Sequence, residues 1–310
     1  MGQLWFAAKS ARPAQWIKNI VMFAPIVFSG FLLVPGSLVR VIWAYILFCG
    51  LSSSVYILND LIDIESDREH PFKKKRPIAS GSLNPAIAVT LMLMLAIGSL
   101  ILGYLTSSFV FASMMTYFSL NILYSLWWKR VAILDVFVIA AGFVIRVYTG
   151  AFIINVHMDV WFLLTVVSAS LFLAVGKRRS EMTLLSGMGA KATKSRKTLT
   201  QYTPALLDAY TSMFANTTWL TYALFSFLHP TFLPEGKVLS LFALLPRTLI
   251  VDKWLMGTVP LVIYGVMRYM QLIYEKNEGE SPHKILMSDK TLLSIVGVWG
   301  GLVIMILYFL

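Results

Sequence analysis

Runs of roughly 20 apolar residues, each long enough to cross the hydrocarbon core of a bilayer as a helix, recur from one end of the chain to the other. No other feature narrows the fold as much, because membrane-length runs in such close succession fit one continuous helical bundle. Composition agrees: of 310 residues, 58% are hydrophobic and 13% charged, against roughly 45–50% and 25% in soluble domains. The mean hydropathy is +0.74. Nine spans are expected, at about 17–34, 41–60, 86–106, 109–127, 132–154, 160–176, 204–227, 255–274 and 291–309. The stretch Val238–Ile250 is apolar but short and contains Pro246, which suits an interfacial or re-entrant piece better than a span. No Gly/Ser/Pro-rich linker or low-complexity tract divides the chain, so residues 1–310 read as a single all-α membrane domain.

The net charge is +11. In a chain this apolar, basic residues mark cytoplasmic segments and bind phosphate groups, and nucleic acid is not the expected partner. With the N-terminus cytoplasmic, the outer side holds only Arg40, Lys237, Arg247 and Lys253, while Arg146 lies within a span. Every other lysine and arginine then falls inside. This asymmetry predicts an N-in, C-out multi-pass protein of the plasma or inner membrane, with its chemically varied loops on the cytoplasmic face. The single cysteine, Cys49, lies in an apolar run and excludes an intrachain disulfide. Lys9, Arg12 and Lys18 precede an apolar run as in a signal peptide, but a small-residue cleavage site is lacking and Pro25 interrupts the run. The segment is therefore expected to be retained. Phe6 stands where a myristoylation signal needs Ser or Thr.

The densest cluster of charge, LNDLIDIESDREHPFKKKRPIASG at 58–81, follows directly on the second apolar run. On a helix, Asp60, Asp63 and Asp67 fall at i, i+3 and i+7, one stripe, with the Asn59 amide at its start. Like charges at that spacing repel. Either the following Lys73, Lys74, Lys75 and Arg76 or a divalent cation compensates them. Carboxylate oxygens suit Mg²⁺, which commonly binds through one or two carboxylates plus substrate phosphates. A solvated helix end with ion pairs is the plainer reading. Ionisable groups emerging from a membrane span are usually functional, which favours a metal–phosphate site.

Further polar clusters fall at the same expected mouth. RPAQWIKN supplies Gln15, Lys18 and Asn19, as phosphate ligands or as interfacial anchors beside Trp16. NILYSLWWKR supplies Asn121 and Tyr124 on one face, then Lys129 and Arg130. In LDVFVIAAGFVIRVYTG, Asp135, Gly142 and Arg146 share a helical face, and Arg146 sits about three turns below the mouth. A buried arginine there needs a partner or a polar cavity. LAVGKRRSE brings Lys177, Arg178, Arg179 and Glu181 to the end of the sixth span, and guanidinium groups fit phosphate oxygens bidentately. Lys191–Lys197 read as positive-inside charge, and the mixed-sign segment from Arg268 to Lys290 as an ordered loop. The four histidines are scattered, and no zinc spacing, Walker loop, GxGxxG or nucleophile elbow is present. By its residues alone, the chain reads as an intramembrane transferase handling phosphates and a lipid.

Asn59-Asp60-x-x-Asp63-x-x-x-Asp67 followed by HPFKKKRPIASG resembles the first motif of the UbiA-type intramembrane prenyltransferase superfamily. RPAQWIKNIVMFAPIVFSG, YSLWWKR, LDVFVIAAGFVIRVYTGA, LFLAVGKRRSE and EGESPHKILMSD resemble its polyprenyl-phosphate phosphoribosyltransferases, of which the decaprenyl-phosphate type is the best known. The resemblance runs from residue 12 to 289. It implies a nine-helix bundle with a cytoplasmic site, Mg²⁺, and transfer of 5-phosphoribose from phosphoribosyl pyrophosphate (PRPP) to a polyprenyl phosphate, with arabinan precursors as one family product. It implies metal ligation by Asn59, Asp60, Asp63 and Asp67, with Asp60 and Asp63 catalytic and Asp135 steadying positive charge at ribose C1. PRPP contacts are expected from Lys73, Lys75, Arg76, Tyr124, Lys129, Lys177 and Arg178, and lipid-phosphate contacts from Gln15, Lys18, Asn19 and Arg146. The aromatic prenyltransferases of the superfamily carry a second Asp-rich motif after the sixth span. Here the sequence is GKRRSE, one acid among three bases, which favours two phosphate-bearing substrates. A transporter or flippase is the alternative of another class; the charges gather at one end, and no inverted repeat with paired broken helices is evident. Oligomeric state is left open.

Overall fold

The computed structural model describes residues 2–69, 73–186, 199–229, 253–275 and 288–309. Every regular element among them is helical. In chain order these are α1 (Gln3–Ser10), a 3-10 run (Pro13–Phe23), α2 (Ala24–Phe28), α3 (Ser37–Ile62), α4 (Ile64–Glu69) and α5 (Pro85–Thr106). Then follow α6 (Ser108–Leu126), α7 (Leu134–Ile154), α8 (Val160–Ser186), α9 (Pro204–Leu228), α10 (Val259–Glu275) and α11 (Lys290–Tyr308). The apolar stretch 238–250, His70, Lys191–Lys197 and most of the expected loop before α11 lie outside the described residues.

Six of these helices (α3, α5, α6, α7, α8 and α11) are long and apolar enough to cross a membrane, so the chain is a multi-pass membrane protein. α9 and α10 occupy the expected seventh and eighth spans but fall outside that group. Start signals in the sequence account for several boundaries. Asn84 caps α5 by accepting the Ala86 N–H at 2.9 Å, with Pro85 at the first helical position. Thr203 and Pro204 do the same for α9, and Asp289 caps α11.

The first expected span, 17–34, is not one helix. Pro25 has no N–H to give the Val21 carbonyl, which accepts from Ala24 in the tighter three-residue pattern instead. The chain therefore enters as a 3-10 run and one short helix, then turns at Gly30, where φ is 78°. The 3-10 run presses on α7 at Gly150. A Cβ there would overlap the Met22 carbonyl oxygen and lie 2.9 Å from its carbon. The sixth span also departs from expectation. α8 continues ten residues past 176 to Ser186, so Lys177–Glu181 are helical rather than a loop.

α3 and α7 form the centre, with 61% and 56% of their apolar stretches buried, while α5 and α11, at 22% and 17%, lie at the periphery of the bundle. Met22, Phe48, Leu51, Met114 and Tyr117 make one buried cluster between the 3-10 run, α3 and α6. Val136, Leu171, Val175 and Leu207 make another between α7, α8 and α9. Of the polar residues expected at the site, Gln15, Lys18 and Asn19 lie on the 3-10 run, and the others on α3, α4, α6, α7 and α8 or in the turns beside them.

Candidate active site

α3 ends at Ile62, and Asp63 is its C-cap, with φ −94° and ψ 9°. The backbone bonds Asp63 N–H to Asn59 O (3.0 Å) and Asp67 N–H to Asp63 O (2.8 Å) carry the chain round into α4. This break divides the acidic stripe. Asp60 and Asp67 converge on a single nitrogen of Arg76, at 2.9 and 2.5 Å. Asp60 is also ion-paired with Arg12, and Lys73 stands 3.9 Å from Asp67. Asp63 turns the other way, to Lys129 at 2.5 Å, and the Asn59 side-chain oxygen Oδ1 accepts from Ser125 at 3.4 Å. The four expected metal ligands thus split into two pairs. Among the described residues no three acidic, histidine or cysteine side chains converge as a metal centre. Burial pushes the Asp67 carboxyl above the usual carboxylate range, with Arg76 and Lys73 pulling it back down. Two oxygens aimed at one cation, with further cations around them, fit a divalent ion that takes its remaining ligands from substrate phosphate and water.

Arg12 and Tyr56 join this group, and neither was singled out by sequence. Arg12 adopts φ 52°, uncommon for a residue with a side chain, which aims it back over the end of α3. Tyr56 lies one turn below Asp60 and carries two cations on its ring, Arg12 at 5.5 Å and Lys18 at 6.0 Å. The usable signals were RPAQWIKN, which opens on Arg12, and the i−4 spacing of Tyr56 from Asp60.

Beyond Tyr56 the site goes deeper into the bundle. Arg146 is 5% exposed and makes three hydrogen bonds, all to neutral acceptors: Asn19 Oδ1 (2.7 Å), Tyr117 Oη (2.8 Å) and the Gly142 carbonyl (2.8 Å). Phe48, Tyr117 and Phe143 surround its guanidinium at 4.7–5.6 Å. Asn19 in turn donates to Cys49 and Ser52 on α3. Lys18 bonds Gln15 at 3.1 Å and lies where the charges of Lys177, Arg146 and Arg12 bear on it. The four residues expected at a lipid phosphate therefore do come together, and neither Lys18 nor Arg146 meets a carboxylate among the described residues.

The structure places Asp135 and Arg178 against each other. Both side chains are 0% exposed and bond each other at 2.6 Å. Arg178 also binds Glu181 at 2.9 Å and reaches Tyr124 at 3.5 Å. The second Asp135 oxygen accepts from Tyr202 at 2.8 Å. The Tyr202 hydroxyl accepts from the N–H of Ile133, a β-branched residue held at φ 69°, at 2.6 Å. Burial pushes the Tyr202 phenol up to about 12. Asp135 and Arg178 thus engage each other, because α8 stays helical and delivers the arginine directly to the start of α7. Arg179 is likewise occupied, by Asp208 at 2.6 Å. Lys177 lies 3.8 Å from Glu181, and Lys75 lines the cleft beside Arg76.

The UbiA prenyltransferase family matches residues 22–288. The decaprenyl-phosphate phosphoribosyltransferase of Corynebacterium glutamicum is 30% identical over 307 residues, covering 97% of this chain and 86% of that protein. The protein of that name from Mycolicibacterium smegmatis is 31% identical, covering 97% and 92%. Among solved structures, a UbiA homolog from Archaeoglobus fulgidus bound to GPP and Mg²⁺ superposes with a TM-score of 0.69 at 16% identity, over 97% of this chain and 99% of its own. A bundle with carboxylates and bases at the end of α3, matched over most of its length by this family, belongs to it: the chain is a member of the UbiA prenyltransferase family.

Proposed function

We propose that this protein transfers 5-phosphoribose from PRPP to a polyprenyl phosphate of the decaprenyl type and releases pyrophosphate, at the cytoplasmic end of the bundle. The observation that carries this reading is the presence of two separate cation groups. One, Arg12, Arg76, Lys73 and Lys129, accompanies the carboxylates of Asp60, Asp63 and Asp67. The other, Lys18 with Arg146, has no carboxylate beside it among the described residues. Two phosphate-bearing substrates account for both groups, and the names of the curated relatives support the same pairing.

Asp60 and Asp67 would hold Mg²⁺, which supplies Lewis acidity to the departing pyrophosphate. Arg12, Arg76 and Lys129 neutralise the charge that gathers on the same group, an electrostatic contribution that is often the largest in catalysis. Lys18 and Arg146, with Gln15 and Asn19 fixing their positions, hold the acceptor phosphate. That phosphate is already an anion and needs no strong base to attack ribose C1. Asp135 and Arg178 act as positioning residues that join α7 to α8 behind the site.

The test is turnover of labelled PRPP with polyprenyl phosphates, product read by mass, with and without a chelator. Asp60→Asn and chelation should each lower the rate by about 10²-fold or more while the variant keeps its helical content and detergent elution. Normal turnover in Asp60→Asn removes the metal assignment. An enzyme that ignores PRPP but prenylates an aromatic acid overturns the reading.

A further inference from the structure

A cleft between α1 and the turn at Lys73–Lys75 holds two groups, Lys9 and Ser10, that neither substrate site uses. It encloses about 290 Å³ and is lined by Lys9, Ser10, Arg12, Asp60, Lys75 and Arg76, four cations to one carboxylate. Asp60 already engages Arg12 and Arg76. Lys9 rests over the Trp5 ring at 5.1 Å, and neither it nor Lys75 forms an ion pair among the described residues. Ser10 is 1% exposed, and its hydroxyl has no hydrogen-bond partner there. A buried hydroxyl left unmade is unfavourable. Here it lies on the wall of a basic cleft, where an incoming anion would satisfy it. Two ammonium groups, a hydroxyl and the adjoining guanidinium edges match the three oxygens of a phosphate monoester.

We propose that Lys9, Ser10 and Lys75 bind the 5-phosphate of the phosphoribosyl donor, which makes α1 a wall of the donor site. This rests on the phosphoribosyl reading and extends it. The donor carries its pyrophosphate at one end and a phosphate monoester at the other. Asp60 and Lys9 both line the cleft, so groups suited to each end of the donor share one cavity. Prenyl pyrophosphates carry no phosphate monoester at the end away from the pyrophosphate. The cleft is therefore where this chain tells a phosphoribosyl donor from a prenyl donor.

Competition with the two halves of the donor tests this. In detergent without anionic lipid, ribose 5-phosphate and pyrophosphate should each inhibit the wild-type enzyme. Lys9→Gln and Lys75→Gln should each raise the inhibition constant of ribose 5-phosphate and the KM for PRPP by about tenfold. Ser10→Ala, which removes a hydroxyl with no hydrogen-bond partner among the described residues, should raise both by a smaller factor. Pyrophosphate inhibition and the KM for the lipid phosphate should stay unchanged. Unaltered ribose 5-phosphate inhibition in the variants, or an equal shift for pyrophosphate, overturns the proposal while leaving PRPP turnover intact. Displacement of ribose 5-phosphate by anionic phospholipid vesicles overturns it in favour of a lipid headgroup in the cleft. Wild-type enzyme that neither turns over PRPP nor responds to ribose 5-phosphate overturns the phosphoribosyl reading itself.

Discussion

Arg178 and Arg146 are both buried in the same bundle, and they are satisfied in opposite ways. Arg178 is paired with Asp135 and Glu181, at 2.6 and 2.9 Å. Arg146, on the same helix as Asp135 and about three turns further in, has Asn19, Tyr117 and a backbone carbonyl, all neutral. Removing a charge from water is expensive unless an opposite charge replaces the lost hydration. Arg178 meets that condition within the protein. Arg146 meets it only in part, through hydrogen bonds and three aromatic rings, with no carboxylate beside it among the described residues. Both arginines were candidates for phosphate binding, and the local carboxylates separate them: Arg178 is neutralised within the protein, and Arg146 meets no carboxylate among the described residues.

The strongest way to break this contrast is to remove one partner from each site. Arg178→Met leaves Asp135 buried with only Tyr202, and the loss should be about 3–5 kcal/mol, enough to prevent recovery of folded protein from detergent. Asp135→Leu combined with Arg178→Met should restore most of that stability, since two well-packed apolar groups often replace a buried ion pair without loss. Arg146→Met should do the reverse, leaving the thermal midpoint unchanged or raised. A collapse of Arg146→Met as deep as that of Arg178→Met would erase the distinction.

The contrast can also be sharpened by making Arg146 resemble Arg178. Asn19→Asp is nearly isosteric and places a carboxylate on the Arg146 Nε–H, where the amide oxygen now sits at 2.7 Å. The arginine would then be neutralised as Arg178 is. The thermal midpoint should rise, while the KM for polyprenyl phosphate should increase about 10- to 100-fold, the size of a lost charge-assisted contact. The KM for PRPP should not move. An unchanged lipid KM in both Asn19→Asp and Arg146→Met would show that the acceptor phosphate binds elsewhere.

Some of this was legible in the sequence, and the divisions have physical reasons. Helix positions were clear because apolar runs of membrane length leave few alternatives, and the acidic positions at the end of α3 stood out as costly charges beside a span. Arg146 was recognisable for the same reason. The break at Asp63 was not, since i, i+3, i+7 spacing assumes one continuous helix and the sequence carries neither Gly nor Pro there. Asp135 and Arg178 looked like separate ligands because their pairing depends on how α7 meets α8, which spacing does not encode. Arg12 resembled a topological anchor; only its positive φ and the return of the chain over α3 bring it to Asp60.

The smallest expected effect compares the two tyrosines that serve these arginine sites. Tyr202 donates to Asp135 at 2.8 Å, and Tyr117 accepts from Arg146 at 2.8 Å. Tyr202→Phe leaves a buried carboxylate oxygen and the Ile133 N–H short of a partner, and should lower stability by about 1.5–3 kcal/mol, as for a bond to a charged group. Its KM for the lipid phosphate should hold, because Asp135 bonds Arg178 and Tyr202 rather than Lys18 or Arg146. Tyr117→Phe keeps the ring against the guanidinium at 4.7 Å and removes only the hydroxyl. The freed Nη2 donor then has one fewer competitor for an incoming phosphate oxygen. Thermal stability should fall less than in Tyr202→Phe, while the lipid KM stays level or drops. A clear rise in lipid KM in Tyr117→Phe would mean that the hydroxyl itself, rather than the guanidinium it steadies, contacts the acceptor.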